Sequence, residues 1–247
     1  MSFVYSYASF TDNGGREVNE DSIGVFKNCD NNCYILCDGL GGHGMGDVAS
    51  SLIVDVFGKQ FQRTDDVVNF LGDICPYAQK QLMKEQIARN AKRKMKTTGV
   101  AIVTDDRNAY IGHIGDSRAY VFNRNKVKER TLDHSIPQML VLSKEIKESE
   151  IRNHPERNSL LRVLGTEWED NMYELAAPIP LKKTQAFLLC SDGFWELITE
   201  KEMCSQLKKA KDVQEWLDKM VEIVKENGIG REMDNFSAIA VWVDNIK

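Results

Sequence analysis

Five aspartates stand where apolar stretches begin or end: Asp21, Asp38, Asp116, Asp192 and Asp234. Three of them abut glycine, as Asp38-Gly39, Gly115-Asp116 and Asp192-Gly193. Glycine there lets the backbone turn sharply and lets a ligand come close. Carboxylates gathered at strand ends repel one another and stay ionised together only with a counter-charge. Hard divalent cations such as Mg²⁺ or Mn²⁺ supply that charge and prefer oxygen ligands. Ions held in this way suit hydrolysis of phosphate esters. A single Asp-Gly after a strand is more often an ordinary turn. Five acids in such contexts are harder to explain as turns, and the residues alone point as far as a metal-dependent hydrolase.

The elements that must position these acids follow from hydropathy. Ser22 to Phe26 and Cys33 to Cys37 are strand-length apolar runs, the second feeding a Gly-rich turn. Asp47 is placed to cap a helix carrying Val48, Leu52, Val56 and Phe57 on one face. A helical region spans about Asp66 to Lys96, with Pro76 expected to kink or split it. Between Val100 and Arg130 four short strands read as an antiparallel meander, with Asp116 at a hairpin tip. The charged stretch from Asp133 to Ala177 reads as a mostly helical surface insertion. Ala186 to Cys190 is a buried strand ending at Asp192. Helices follow near Glu200 to Lys208 and Asp212 to Asn227, and Phe236 to Val243 forms a last strand. Strand runs mixed with helical pairs predict an α+β fold.

Bulk properties narrow the functional class. The chain has 247 residues and no Pro- or Gly-rich divider, so one domain is expected over 1–247. Its net charge of -5 and lack of an aromatic-basic stripe disfavour nucleic-acid partners. Neither a signal-like opening segment nor a span-length apolar run is present, and we expect a cytoplasmic protein without membrane attachment. The 6 cysteines form no C-x-x-C pair and are expected to be free thiols.

At this point the motifs resemble the metal-dependent serine/threonine phosphatases of the PPM type, also called type 2C, in their bacterial form. They are, in order, REVNED at 16–21, DGLGGHGMGDVAS at 38–50, TTG at 97–99, GHIGDSRAY at 112–120, DHS at 133–135, HPERN at 154–158, SDG at 191–193 and DN at 234–235. The resemblance implies a four-layer α-β-β-α sandwich of two central antiparallel sheets, with an inserted flap over about 133–177. It implies that Asp38 bridges two Mn²⁺ or Mg²⁺ ions with the Gly39 carbonyl on one of them. Asp192 and Asp234 complete that pair, and Asp116 joins Asp192 at a third ion. Glu20 and Asp21 would orient metal-bound water. Arg16 would grip the phosphoryl group, and a metal-bridging water would attack phosphorus. His43 is either the general acid for the leaving alkoxide or a locally bonded loop residue. The substrates implied are phosphoproteins, set against a eukaryotic-like Ser/Thr kinase. A phosphodiesterase or nuclease, and a non-catalytic module that binds phosphoproteins, are the competing classes.

Overall fold

The structure, a computed structural model, describes residues 3–40, 44–92, 94–170 and 172–245. It contains two antiparallel sheets. The strands are β1 (Phe3–Asp12), β2 (Asp21–Asn28), β3 (Asn31–Leu40), β4 (Lys96–Thr97), β5 (Gly99–Thr104), β6 (Asn108–Ile114), β7 (Arg118–Asn123), β8 (Lys126–Arg130), β9 (Glu174–Leu175), β10 (Ile179–Pro180), β11 (Gln185–Cys190) and β12 (Phe236–Asn245). The helices are α1 (Gly46–Phe61), α2 (Phe70–Ala88), α3 (Ile136–Leu142), α4 (Asp192–Trp195), α5 (Glu200–Lys209) and α6 (Val213–Gly228). One sheet runs β1-β12-β11-β7-β8. The other runs β10-β6-β5-β3-β2, with β4 beside β3 and β9 beside β6.

Strand alternation builds three separate cores from these sheets. On β3, Cys33, Ile35 and Cys37 pack under α1 and α2, whereas Tyr34 and Leu36 face the other sheet. On β11, Leu188 and Cys190 pack against the α4–α6 side, whereas Phe187 and Leu189 face inward. The strands are thus buried on both faces, which is why their sequences read as unbroken apolar runs. Helix, sheet, sheet and helix stack as the four expected layers.

Several local expectations are corrected. Asp21 and Asp38 lie within β2 and β3, not outside them. Met45, not Asp47, occupies the cap position of α1. Asp47 sits in the first turn, where its charge still suits the helix dipole. The buried face of α1 is Ala49, Ile53, Val54, Phe57 and Phe61; Val48, Leu52 and Val56 are only partly buried. Helix α2 is shorter than expected and runs unsplit through Pro76. Proline denies the Gly72 carbonyl its helical donor, and the Tyr173 hydroxyl donates to that carbonyl instead at 3.1 Å. Asp116 is not at a hairpin tip, because β6 and β7 belong to different sheets and the chain crosses between them there. Strand β1 was missed, although Phe3 and Tyr5 alternate inward while Ala8 and Phe10 face the helices. The stretch from 133 to 177 carries less helix than expected: α3 and one 3₁₀ segment, Glu148–Asn153.

All six cysteines are free, with Cys33, Cys37 and Cys190 buried. Among the described residues no helix is long and apolar enough to cross a membrane.

Candidate active site

The same alternation that builds the inter-sheet core also ends it in polar groups. Tyr34 and Leu36 point between the sheets, so Asp38 follows in phase. Ile23 and Val25 do the same on β2, and Asp21 pairs in register with Asp38. From the facing sheet, Leu189 and Ile239 lead to Ser191 and Ser237. The Ser191 hydroxyl donates to Asp21 Oδ2 at 2.8 Å and accepts from the Ser237 N–H at 3.0 Å.

The acids that meet at this end are electrostatically frustrated. Burial raises the Asp38 carboxyl well above the usual range, and the charges of Asp192, Asp21 and Asp116 raise it further. Burial and the charge of Asp192 do the same to Asp116. Burial and the neighbouring Asp234 push Asp192 up. Burial pushes Asp21 up to about 7, and its Oδ1 is buried with no hydrogen-bond partner among the described residues. Polar atoms buried without partners are rare and call for an explanation. Bound divalent cations fit: they would neutralise the acids, and associated water would satisfy the orphaned oxygen. Among the described residues no three of these aspartates bring oxygens within 4.8 Å of one another.

Backbone bonds hold Asp38 and its glycine in place. The Asp38 N–H donates to Thr98 Oγ1 at 3.0 Å, and the Asp38 carbonyl accepts from Thr98 N and Thr97 Oγ1, each at 2.8 Å. Gly39 packs so tightly that a Cβ there would lie 2.4 Å from the backbone of Gly46 and 2.6 Å from the Glu20 carbonyl. Glu20, expected to orient water, has its carboxyl raised chiefly by burial. Its N–H donates to Asn235 Oδ1 at 2.8 Å. Asn235 Nδ2 in turn donates to the carbonyls of Asn13 and Val18, each at 3.0 Å, fastening the loop that carries Arg16. Arg16 itself forks Asp234 through Nε and Nη2.

Asp116 is held from beneath by residues whose roles the motifs did not reveal. The Trp195 indole N–H donates to the Asp116 carbonyl at 3.0 Å. The Arg118 guanidinium lies 3.3 Å from the centre of the Trp195 ring. It is also forked onto Asp133 at 2.8 and 2.7 Å. Arg118 and Asp133 are both buried, so removing either would strand a charge, at a cost of about 3–5 kcal/mol. The indole of Trp195 reads in the sequence as one more core aromatic, and nothing in its spacing marks it.

An open cleft of about 1310 Å³ adjoins Asp192 and Asp234. Arg16, Arg152, Arg157 and Arg231 line it together with Asp192, Glu196, Glu232 and Asp234, and Arg16, Arg152 and Arg157 are each paired with a carboxylate. Glu196, bonded to Arg157 at 3.1 Å, is pushed up to about 7 by burial and by Asp192. His43 lies outside the described residues.

The family model for protein phosphatase 2C matches residues 14–236. The chain belongs to the protein phosphatase 2C family. It is 34% identical over 239 residues to the serine/threonine phosphatase stp of Listeria welshimeri, covering 94% of this chain and 93% of that one. Its structure matches the crystal structure of the serine/threonine phosphatase Stp1 from Staphylococcus aureus with a TM-score of 0.89 and 29% identity, over 98% and 96% of the two chains. It shares the fold of the catalytic domain of PstP in complex with two manganese ions, with a TM-score of 0.84 and 24% identity over 99% and 100% of the chains. The protein is thus a protein serine/threonine phosphatase of bacterial type, and phosphoproteins are its substrate class.

Proposed function

We propose that the protein hydrolyses phosphoserine and phosphothreonine directly, using Mn²⁺ or Mg²⁺ held by Asp38, the Gly39 carbonyl, Asp192 and Asp234. Asp38 would be shared by two core ions, and Asp116 with Asp192 would serve a third. The observation that carries this reading is the group of mutually raised carboxylates at one end of the inter-sheet core. Bound ions would act as Lewis acids on water and on the phosphoryl oxygens.

The chain's own residues would do the rest. Glu20 and Asp21 would orient water beside the first set of acids. Arg16 would bind phosphoryl oxygens with its planar fork, giving up Asp234 as the cations take over that carboxylate. Once cations offset the acids of the cleft, its arginines would favour the dianionic monoester. His43, in the Gly-rich segment of the sequence, is the proposed proton donor to the leaving Ser or Thr oxygen. Water activated by the bound ions would attack phosphorus directly, with no covalent phosphoenzyme. A cytoplasmic site of action, opposite a eukaryotic-like Ser/Thr kinase, belongs to the same proposal by family analogy.

The test compares phosphate release from a phosphoserine peptide with cleavage of a bis-ester, both with Mn²⁺ present. Preference for the monoester is expected. Faster turnover of the bis-ester would assign the site to a phosphodiesterase instead.

A further inference from the structure

His134 bonds both backbone polar groups of Gly115, on the two peptide planes that flank its Cα. The His134 N–H donates to the Gly115 carbonyl at 2.9 Å, and the Gly115 N–H donates to His134 Nδ1 at 3.2 Å. Gly115 has φ +97°, and a Cβ there would lie 2.6 Å from Thr98 Cγ2. Asp116 follows directly, at the crossover between the two sheets. The residues just before His134 are tied to the same crossover. His113 Nε2 donates to the Leu132 carbonyl at 2.8 Å, and Asp133 is forked by Arg118. Three consecutive residues, 132 to 134, therefore clamp the turn that presents Asp116.

His113, His134 and Glu174 also offer ligand atoms within 4.8 Å of one another, a set that by composition suits a transition metal. The geometry points elsewhere. The two imidazoles are stacked, with centroids 4.6 Å apart and planes 18° apart. Imidazole lone pairs lie in the ring plane, so those of stacked rings run side by side and do not converge on one ion. The protons are also accounted for. A carbonyl only accepts, so His113 Nε2 carries a proton. A backbone N–H only donates, so His134 Nδ1 is bare and its Nε2 proton faces Glu174 Oε2 at 3.3 Å. Both imidazoles thus have partners without a metal, His113 in the Leu132 carbonyl and His134 in Gly115 and Glu174.

We propose that His134 is a positioning residue for Asp116: its bare Nδ1, kept in that tautomer by Glu174, fixes the Gly115 peptide and so sets the affinity of the ion that Asp116 holds. This rests on Asp116 being a metal ligand, as proposed above. Nδ1 is the atom that matters, and the stacked ring is secondary. Phenylalanine would keep the ring and lose the acceptor. Asparagine would lose the ring but carry an acceptor oxygen at the place of Nδ1.

The experiment is a Mn²⁺ binding titration, read from the electron paramagnetic resonance of free Mn²⁺, on the wild type, His134→Phe, His134→Asn and Asp116→Asn. His134→Phe is expected to weaken the weakest site about 5-fold, the range of one hydrogen bond. His134→Asn is expected to bind like the wild type. A packing role reverses that order, so wild-type binding by His134→Phe, or an equal loss in both variants, overturns the proposal. Asp116→Asn separates the two layers: if it leaves every site unchanged, the metal role of Asp116 fails and takes this inference with it. Should His134→Phe not fold, the imidazole ¹⁵N shifts of the wild type decide. A bare Nδ1 and protonated Nε2 are expected at neutral pH, and the opposite tautomer overturns the proposal.

Discussion

Arg16 holds Asp234 in a planar fork, Nε to Oδ1 at 3.0 Å and Nη2 to Oδ2 at 2.9 Å. The pair joins a residue expected to bind phosphate to one expected to bind metal. Both side chains are about half exposed, so the bond can exchange for others at little cost. Arg16→Ala is expected to raise KM for a phosphoserine peptide about 10- to 100-fold, the equivalent of hydrogen bonds to a charged group. Arg16→Lys should recover only part, because an ammonium cannot fork. Steady-state kinetics at saturating Mn²⁺ measure both. An unchanged KM in Arg16→Ala would remove Arg16 from substrate binding.

Trp195 supports Asp116 through one indole proton. Trp195→Phe keeps an aromatic face under Arg118 but leaves the Asp116 carbonyl without its donor. The expected loss of stability is about 1–3 kcal/mol, the cost of one buried unsatisfied group. Urea unfolding measures it, and a loss no larger than that of an exposed substitution would show that the bond contributes nothing.

Gly39 has no room for a methyl group, since a Cβ would meet the backbone of Gly46 at 2.4 Å. Gly39→Ala is expected to cost about 1–3 kcal/mol through overpacking. It should also displace the carbonyl proposed to bind metal. Thermal melts with and without Mn²⁺ should show a lower Tm and a smaller rise on adding the ion. A variant that melts and responds to Mn²⁺ like the wild type would contradict this.

Asp21 contributes to the pH dependence of the metal-free protein. Its folded carboxyl titrates near about 7, against an ordinary value of 3.8, because burial disfavours the charge. Between these values the folded state keeps a proton that the unfolded state has released. Stability from this group therefore falls as pH rises from about 4 to about 7. Asp21→Asn does not titrate, so its Tm in EDTA should gain on the wild type across that window. A constant difference in Tm over the same range would show that Asp21 is not raised.

The sheets and the cluster of acids were legible because their signals are local. Cys33 to Cys37 and Ala186 to Cys190 are continuous apolar runs, and a run of that kind marks a strand buried on both faces. The acids were found by their position at strand ends, although Asp21 and Asp38 proved to extend the strands themselves. Other features depend on contacts distant in sequence. The chain crosses between sheets at Asp116, yet a short connection reads as a hairpin. Pro76 is tolerated because Tyr173, 97 positions later, supplies the missing donor. Trp195 and Asn235 act through side-chain bonds to backbone groups far away, which no spacing rule encodes.

The most direct test removes and restores the cations. Phosphate release from a phosphothreonine peptide would be followed after EDTA treatment, then during Mn²⁺ titration, for the wild type and Asp38→Asn. Activity is expected to vanish with EDTA and return with Mn²⁺ in the wild type, and to stay low in Asp38→Asn at every Mn²⁺ concentration. Full activity in EDTA, or wild-type turnover by Asp38→Asn, would contradict a metal centre built on Asp38.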